Sequence, residues 1–420
     1  MIKVNSLKMQ PRPSIRSAVF IVMVMVSSAS AGEPLNLSAK FAPSPTQPGK
    51  NAFINTTPIS GYCSLFSSDC KTYNTFSVQL NLGAKSVLPI EANQDDQRKG
   101  AMIRIPGAWR KIQVTNSQGE PYDLEFRISG IGATQNFSSN VATITGSKDV
   151  LSGHNSLWLG GSWVYTPQNC GASYSGVGWY TDNWYTFFWK KDATDAVCIK
   201  KALFRIPEFS FSSINISYEL RTPNPLDMRS GDYVGDLRLT IGNGGDIDFG
   251  DQLEPTDSNL DIHFNLRVYH FLSIVFPPNA QILSLYPVGG WKQWLHSGRR
   301  PEKLVANQPF QIWSSGQFKM LLVCQYSVAD QCGIQNKAGH LVPVETRVTL
   351  PNRMMNEDGK PAIRHLLSSS NPSVFHNSQF VENGRAALDF EVNRESVAQM
   401  INYAGSRYSG NVTLVWDSEL

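Results

Sequence analysis

Apolar and polar side chains alternate with period two along most of this chain, and that pattern constrains its fold more than any other feature. It runs through Phe76, Val78, Leu80 and Leu82, through Leu124, Phe126 and Ile128, and through Ile214, Ile216, Tyr218 and Leu220. It returns at Ile262, Phe264, Leu266 and Val268, at Val344, Val348 and Leu350, and at Val412, Leu414 and Trp416. Successive strand side chains point to opposite faces, so each run describes a strand with one buried face and one wetter face. Gly, Pro, Asn and Ser between the runs supply turn chemistry. A single short helix is expected, near residues 394–402, with Val397, Met400 and Ile401 on one side. The reading is an all-β protein built from immunoglobulin-like sandwiches.

At 420 residues the chain exceeds what one hydrophobic core usually serves, so two domains are expected. An internal echo suggests where they divide. Tyr233, Gly235, Leu237 and Leu239 repeat the pattern of Tyr408, Gly410, Val412 and Leu414, and the second copy closes the chain. If the first copy also closes a domain, the Gly/Asp-rich stretch 243–259 is a linker. The expected domains are then 32–242 and 260–420. Asp246, Asp248 and Asp251 resemble part of a calcium loop, but the spacing is broken and an interdomain turn is the preferred reading.

Residues 1–31 read as an address. Lys3, Lys8, Arg12 and Arg16 precede the apolar run Ala18–Val26, and small residues follow to Ala31. This is the order of a secretory signal peptide, and the run is about half a bilayer span. Those four bases also carry the positive charge. Without them 33 bases face 34 acids, so the mature chain has no electrostatic case for nucleic acid. The six cysteines fit an oxidising compartment. Fifteen connectivities are possible, and nearest-neighbour pairing is expected: Cys63 with Cys70, Cys170 with Cys198, Cys324 with Cys332. No C-x-x-C occurs, which argues against zinc. The Cys170–Cys198 loop would gain most, about 3 kcal/mol in the chain-entropy view.

Catalytic motifs are missing. The seven histidines are isolated, and no metalloprotease, nucleophile-elbow, P-loop or dinucleotide fingerprint occurs. The expectation is a protein that is not an enzyme and carries no cofactor or metal. Segment 158–189 is the chemically loaded one, with five of the ten tryptophans. Aromatic faces stack on the apolar side of a pyranose, and short carboxylates and amides meet its hydroxyls. The candidate receptor-binding residues are Trp158, Trp163, Tyr174, Trp179, Tyr180, Asp182, Asn183 and Trp184. Phe187, Phe188 and Trp189 run consecutively and read as core.

The second domain has its own peculiarity. The strand Val412–Trp416 runs almost to the end of the sequence. A sandwich of immunoglobulin type needs about seven strands. If one is absent beyond Trp416, about five inward side chains at ~1.5–3 kcal/mol each are forfeited, roughly 7–15 kcal/mol. That equals the stability of a typical domain. A strand from another chain would have to fill the gap. The expected groove is walled by Ile262, Phe264 and Leu266 on one side and by Val412, Leu414 and Trp416 on the other. An ordinary complete sandwich ending in its last strand is the competing reading.

Several stretches resemble the two-domain tip adhesins of bacterial chaperone–usher fimbriae, nearest the colonization-factor and cable-pilus initiator branch. They are Asn224-Pro225-Leu226-Asp227-Met228-Arg229-Ser230-Gly231-Asp232-Tyr233-Val234-Gly235, Gly289-Gly290-Trp291-Lys292-Gln293-Trp294, Phe318-Lys319-Met320-Leu321-Leu322-Val323-Cys324, and the tail from Arg407 to Trp416. The likeness extends over the mature chain in organisation, and is specific mainly over 214–350 and the last ten residues. It implies an N-terminal domain that binds a host glycan or protein, and a C-terminal pilin domain lacking its final strand. It also implies a periplasmic chaperone that fills the gap, an outer-membrane usher, and a neighbouring pilin that later donates its own extension. The product would be exported through the periplasm to a fimbrial tip. No receptor-site residue carries over by position. Two other classes stay open: a structural initiator that binds no receptor, and a secreted carbohydrate-active enzyme.

Overall fold

The computed structural model describes residues 2–8, 33–43, 50–167, 170, 172–278 and 280–418; the side chains of 2–8 and 172–175 are outside that description. The proposed apolar leader run and its cleavage point also lie outside the described residues. The protein is all-β, with its strands arranged around two large hydrophobic cores, and a small third cluster joins Phe188 to Tyr62, Cys63, Phe66 and Cys70. The strands that position the candidate sites are β1 (Ile2–Lys8), β2 (Leu35–Phe41), β3 (Arg110–Thr115), β4 (Pro121–Phe137), β5 (Trp184–Lys191), β6 (Phe209–Arg221), β7 (Gly231–Thr240) and β8 (Asn259–Val268). They continue as β9 (Leu304–Ser314), β10 (Phe318–Cys324), β11 (Leu341–Thr349), β12 (Ser373–Asn377), β13 (Val381–Val392) and β14 (Gly410–Asp417).

The first body is built on one large sheet in which β6, β4, β3, β7, β8 and β2 lie side by side, with β5 branching from β4. A two-stranded sheet, 101–105 with 196–200, adds to it. The second body is a sandwich. One sheet orders β1, β14, β10 and β12, and the other orders β9, β13 and β11. Phe310, Phe318, Met320, Val344, Leu388, Phe390, Val412 and Leu414 from both sheets share its core. The alternation read from the sequence is visible in the burial of β14, where Val412, Leu414 and Trp416 are buried and the residues between them are not.

Two expectations about the domain boundary are corrected. The strand carrying the echo, β7, does not close the first domain. β8 follows it as a hairpin partner, paired along its whole length from Gly231↔Val268 to Thr240↔Asn259. Leu260, Ile262, Phe264, Leu266 and Val268 all sit in the first core, so residues 260–268 belong with the N-terminal body. Nor is 243–259 a free linker. Ile247, Phe249 and Leu253 are buried in the same core, and 253–255 pairs with 84–86. The acidic residues explain the fixed path. Asp248 accepts hydrogen bonds from the N–H groups of Gly244 and Gly250 and pairs with Arg98, while Asp246 pairs with Arg110 and accepts from the Thr240 N–H. Their carboxylates have arginine and backbone partners, which is the arrangement of a structured loop.

The expected helix is present at Arg394–Ile401, capped by the Asn393 side chain accepting from the Ser396 N–H at 3.0 Å. The sequence reading missed a second helix of eight residues, Val150–Leu157. Its signal is an N-cap: Asp149 accepts from the Ser152 N–H at 2.8 Å immediately before an apolar residue. The three disulfides are Cys63–Cys70, Cys170–Cys198 and Cys324–Cys332, the nearest-neighbour pairing.

Candidate functional site: an aromatic hairpin and a strand slot

The aromatic segment divides between core and surface. Trp158 and Trp163 are 1% and 0% exposed, which removes them from the receptor-binding set. Trp163 stacks on Trp189 with ring centroids 5.2 Å apart, and its carbonyl accepts the Trp189 indole N–H at 2.7 Å. Trp158 meets Trp163 and Phe209 edge-on. Rings of this size stabilise a core by apolar area, and here each is enclosed by other rings. Phe187, Phe188 and Trp189 are buried as expected. Phe188 fits because β4 runs under it with glycine at 130 and 132. A Cβ at Gly132 would stand 2.9 Å from the Phe188 ring and 2.7 Å from the Phe187 carbonyl oxygen. The side chain of Tyr174 lies outside the described residues.

The remaining candidates come together on a tight hairpin leading into β5. Thr186 N–H donates to the Trp179 carbonyl at 2.8 Å, and Thr181 N–H to the Trp184 carbonyl at 2.9 Å. Asp182 and Asn183 form the exposed tip, Trp184 is half-buried, and Trp179 and Tyr180 are 52% and 42% exposed. The tip is pinned from behind. Asp182 and Asn183 carbonyls accept from the N–H groups of Val141 and Phe137 at 2.7 and 2.8 Å. His154, on the missed helix, donates Nε2–H to the Thr181 carbonyl at 2.7 Å. Burial pushes the His154 pKa below the usual imidazole value, so the ring clamps the hairpin in its neutral form.

A second segment, which the sequence reading did not join to this site, supports Trp179. Its indole packs edge-on against Phe66 at 4.7 Å, Phe66 stacks on Tyr62 at 4.6 Å, and Tyr62 stacks on Phe188 at 4.7 Å. Phe66 lies inside the short Cys63–Cys70 disulfide loop and Tyr62 immediately before it, and the Tyr62 hydroxyl donates to Asp69 at 2.6 Å. The loop also exposes Leu65, and the approach to the hairpin exposes Val177. The available signal was the position of two aromatic residues beside and between closely spaced cysteines. The result is a rigid aromatic platform with a polar tip, the surface chemistry that stacks a sugar ring and meets its hydroxyls.

The strand slot lies on the second body. One edge of β14 pairs antiparallel with β10, from Lys319↔Asp417 to Cys324↔Val412. The other edge pairs in parallel with β1, seven consecutive residues from Ile2↔Gly410 to Lys8↔Trp416. On its far side β1 pairs, among the described residues, with Ile282 and Leu283. The inward wall is apolar: Val412 and Leu414 are fully buried, and Trp416 packs against Phe310 and Phe318. This corrects half of the expected groove. Ile262, Phe264 and Leu266 do not face Val412, Leu414 and Trp416. They lie on β8 in the other body, at 0–1% exposure, with β7 on one edge and β2 on the other. The segment opposite β14 is 282–283, where Leu283 packs against the second core.

No family model and no curated protein matches the sequence. Solved structures do match. The CFA/I adhesin CfaE of enterotoxigenic E. coli, in a point-mutant form, is 11% identical over 92% of this chain and 98% of its own, with a TM-score of 0.24. The CsuC–CsuE chaperone–tip adhesion subunit pre-assembly complex, from the archaic chaperone–usher Csu pili of Acinetobacter baumannii, is 9% identical over 92% of this chain and 99% of its own, with a TM-score of 0.19.

Proposed function

We propose that this chain is the tip adhesin of a surface fibre assembled by a chaperone–usher route. The observation that carries the reading is the source of the strand beside β14. The edge of β14 is paired there by residues 2–8, ahead of the apolar run that the sequence marks for removal. Cleavage after Ala31 would leave the β14 edge and its apolar wall without a partner. A sheet edge of that kind is a template for a strand from another chain. In the proposed cycle a periplasmic chaperone supplies the strand first, the usher receives the complex, and a neighbouring pilin replaces the chaperone strand. The N-terminal body presents the Trp179–Trp184 platform to a host-surface glycan or glycoprotein. The reading assigns no catalysis and no cofactor.

Expression of residues 32–420 with and without a cognate chaperone tests it. The expected result is aggregate without the chaperone and a soluble one-to-one complex with it. A stable monomer in the absence of any donor strand would overturn the proposal.

A further inference from the structure

The platform does not account for a second concave feature of the first body, a cavity beside the 158–167 loop. It holds about 660 Å³, within the range of small-ligand sites, and opens between the 90–97 loop, the 158–167 loop and the end of the strand Ala196–Lys200. Ile90, Leu159 and Pro167 give it apolar walls, and Gln94 and Gln97 supply amides. Lys200 lines it at 3% exposure. Its Nζ donates to the carbonyls of Gly161 and Ser162 at 2.8 and 2.7 Å, which occupies two of its three N–H bonds. Among the described residues no carboxylate pairs with it.

The acids around the cavity are otherwise engaged. Asp95 pairs with Lys201 at 2.8 Å, Glu91 with Arg205 at 3.0 Å, and Asp96 with Lys99 at 3.5 Å. The 158–167 loop carries no charged residue. Lys200 is therefore a buried cation whose desolvation is offset by two carbonyl dipoles and no counter-charge, and burial lowers its pKa to about 8. An anion entering the cavity would supply what is missing. The same loop ties the cavity to the platform, because Ser162 Oγ bonds the Tyr185 hydroxyl at 3.2 Å and Tyr185 stacks on Tyr180.

We propose that this cavity is an acidic-saccharide subsite, in which Lys200 pairs with a carboxylate or sulfate of the sugar. The proposal rests on the receptor-binding reading above and adds the ligand's charge to it. Calorimetric titration of the full chain, held by its donor strand, tests it with a sialic-acid-terminated trisaccharide, a sulfated galactoside and neutral lactose. At least one acidic probe binds about tenfold or more tightly than lactose, and the two acidic probes tell carboxylate from sulfate. Binding at pH 8 is accompanied by proton uptake, read from the dependence of heat on buffer ionisation, because burial lowers the Lys200 pKa and an anion returns it to its charged form. Lys200→Met removes both the acidic preference and the proton uptake. A lysine that only clamps the loop would lower melting temperature on substitution and leave wild-type binding free of proton linkage. Equal affinity for lactose, or no proton uptake by the wild type, overturns the subsite. If no saccharide binds while the protein still adheres to host cells, the subsite falls and the adhesin reading stands. If adhesion is absent as well, both fall.

Discussion

β8 and β14 make an instructive pair. Both carry apolar residues at every second position, and both bury them almost completely, Ile262 and Phe264 in one core, Val412 and Leu414 in the other. They differ at their edges. β8 has β7 on one side and β2 on the other, both from the body it belongs to. β14 has β10 on one side and residues 2–8 on the other. The inward face stabilises each strand in the same way, through apolar area removed from water. The edge decides whether the body is finished by its own sequence. In the proposed function, that difference separates a self-sufficient binding domain from one that joins a fibre.

The comparison can be broken most decisively by removing β1. A chain starting at residue 32 is expected to show two separate thermal transitions. The transition of the second body should be lowered by more than about 10 °C or replaced by aggregation, and that of the first should be unmoved, since only the second body loses the strand that pairs its β14 edge. Differential scanning calorimetry reads both. Core truncations come next. Phe264→Ala should cost about 3–5 kcal/mol in the first transition and leave donor-strand uptake unchanged. Leu414→Ala should cost about 2–5 kcal/mol in the second and weaken that uptake. Chemical denaturation with a labelled donor peptide separates the two outcomes, and loss of uptake in Phe264→Ala would restore the groove first expected from the sequence.

Within the first body, Trp163→Ala and Trp179→Ala sharpen the division of the aromatic segment. The buried ring should cost about 3–5 kcal/mol. The exposed one should change stability by roughly 1 kcal/mol or less while abolishing cell binding. The smallest expected effect is from pH. The folded pKa of His154 is depressed, so its contribution is intact above the unfolded value near 6.5 and declines as pH falls below it. One proton limits the slope to about 1.4 kcal/mol per pH unit. A melting temperature for the first body that falls between pH 6.5 and 5, less so in His154→Gln, is the predicted signature.

The all-β class, the helix at 394–401 and the inward faces of β8 and β14 were legible because period two fixes a face directly. Which body a strand joins was not legible, since alternation at Ile262, Phe264 and Leu266 is the same whichever core receives it. The Tyr-x-Gly echo misled for the same reason: β7 and β14 share a local pattern, yet β7 is followed by a long hairpin partner and does not close its body. Trp158 and Trp163 lie in the same run of aromatics as Trp179 and Tyr180, and composition cannot tell them apart. What distinguishes them is the tight hairpin at 179–186, which holds its tip outside the core. The platform under Trp179 needed the fold itself, because Cys63–Cys70 and the hairpin are over a hundred residues apart in the chain.

Residue-resolved hydrogen exchange across 410–417, in a chain lacking residues 1–31, tests the central claim most directly. Without an added strand, the amides that pair toward β10 should stay protected, and the alternate amides that face β1 should exchange quickly. Both sets should become protected when a donor strand is supplied. Uniform protection of 410–417 before any strand is added would contradict the account.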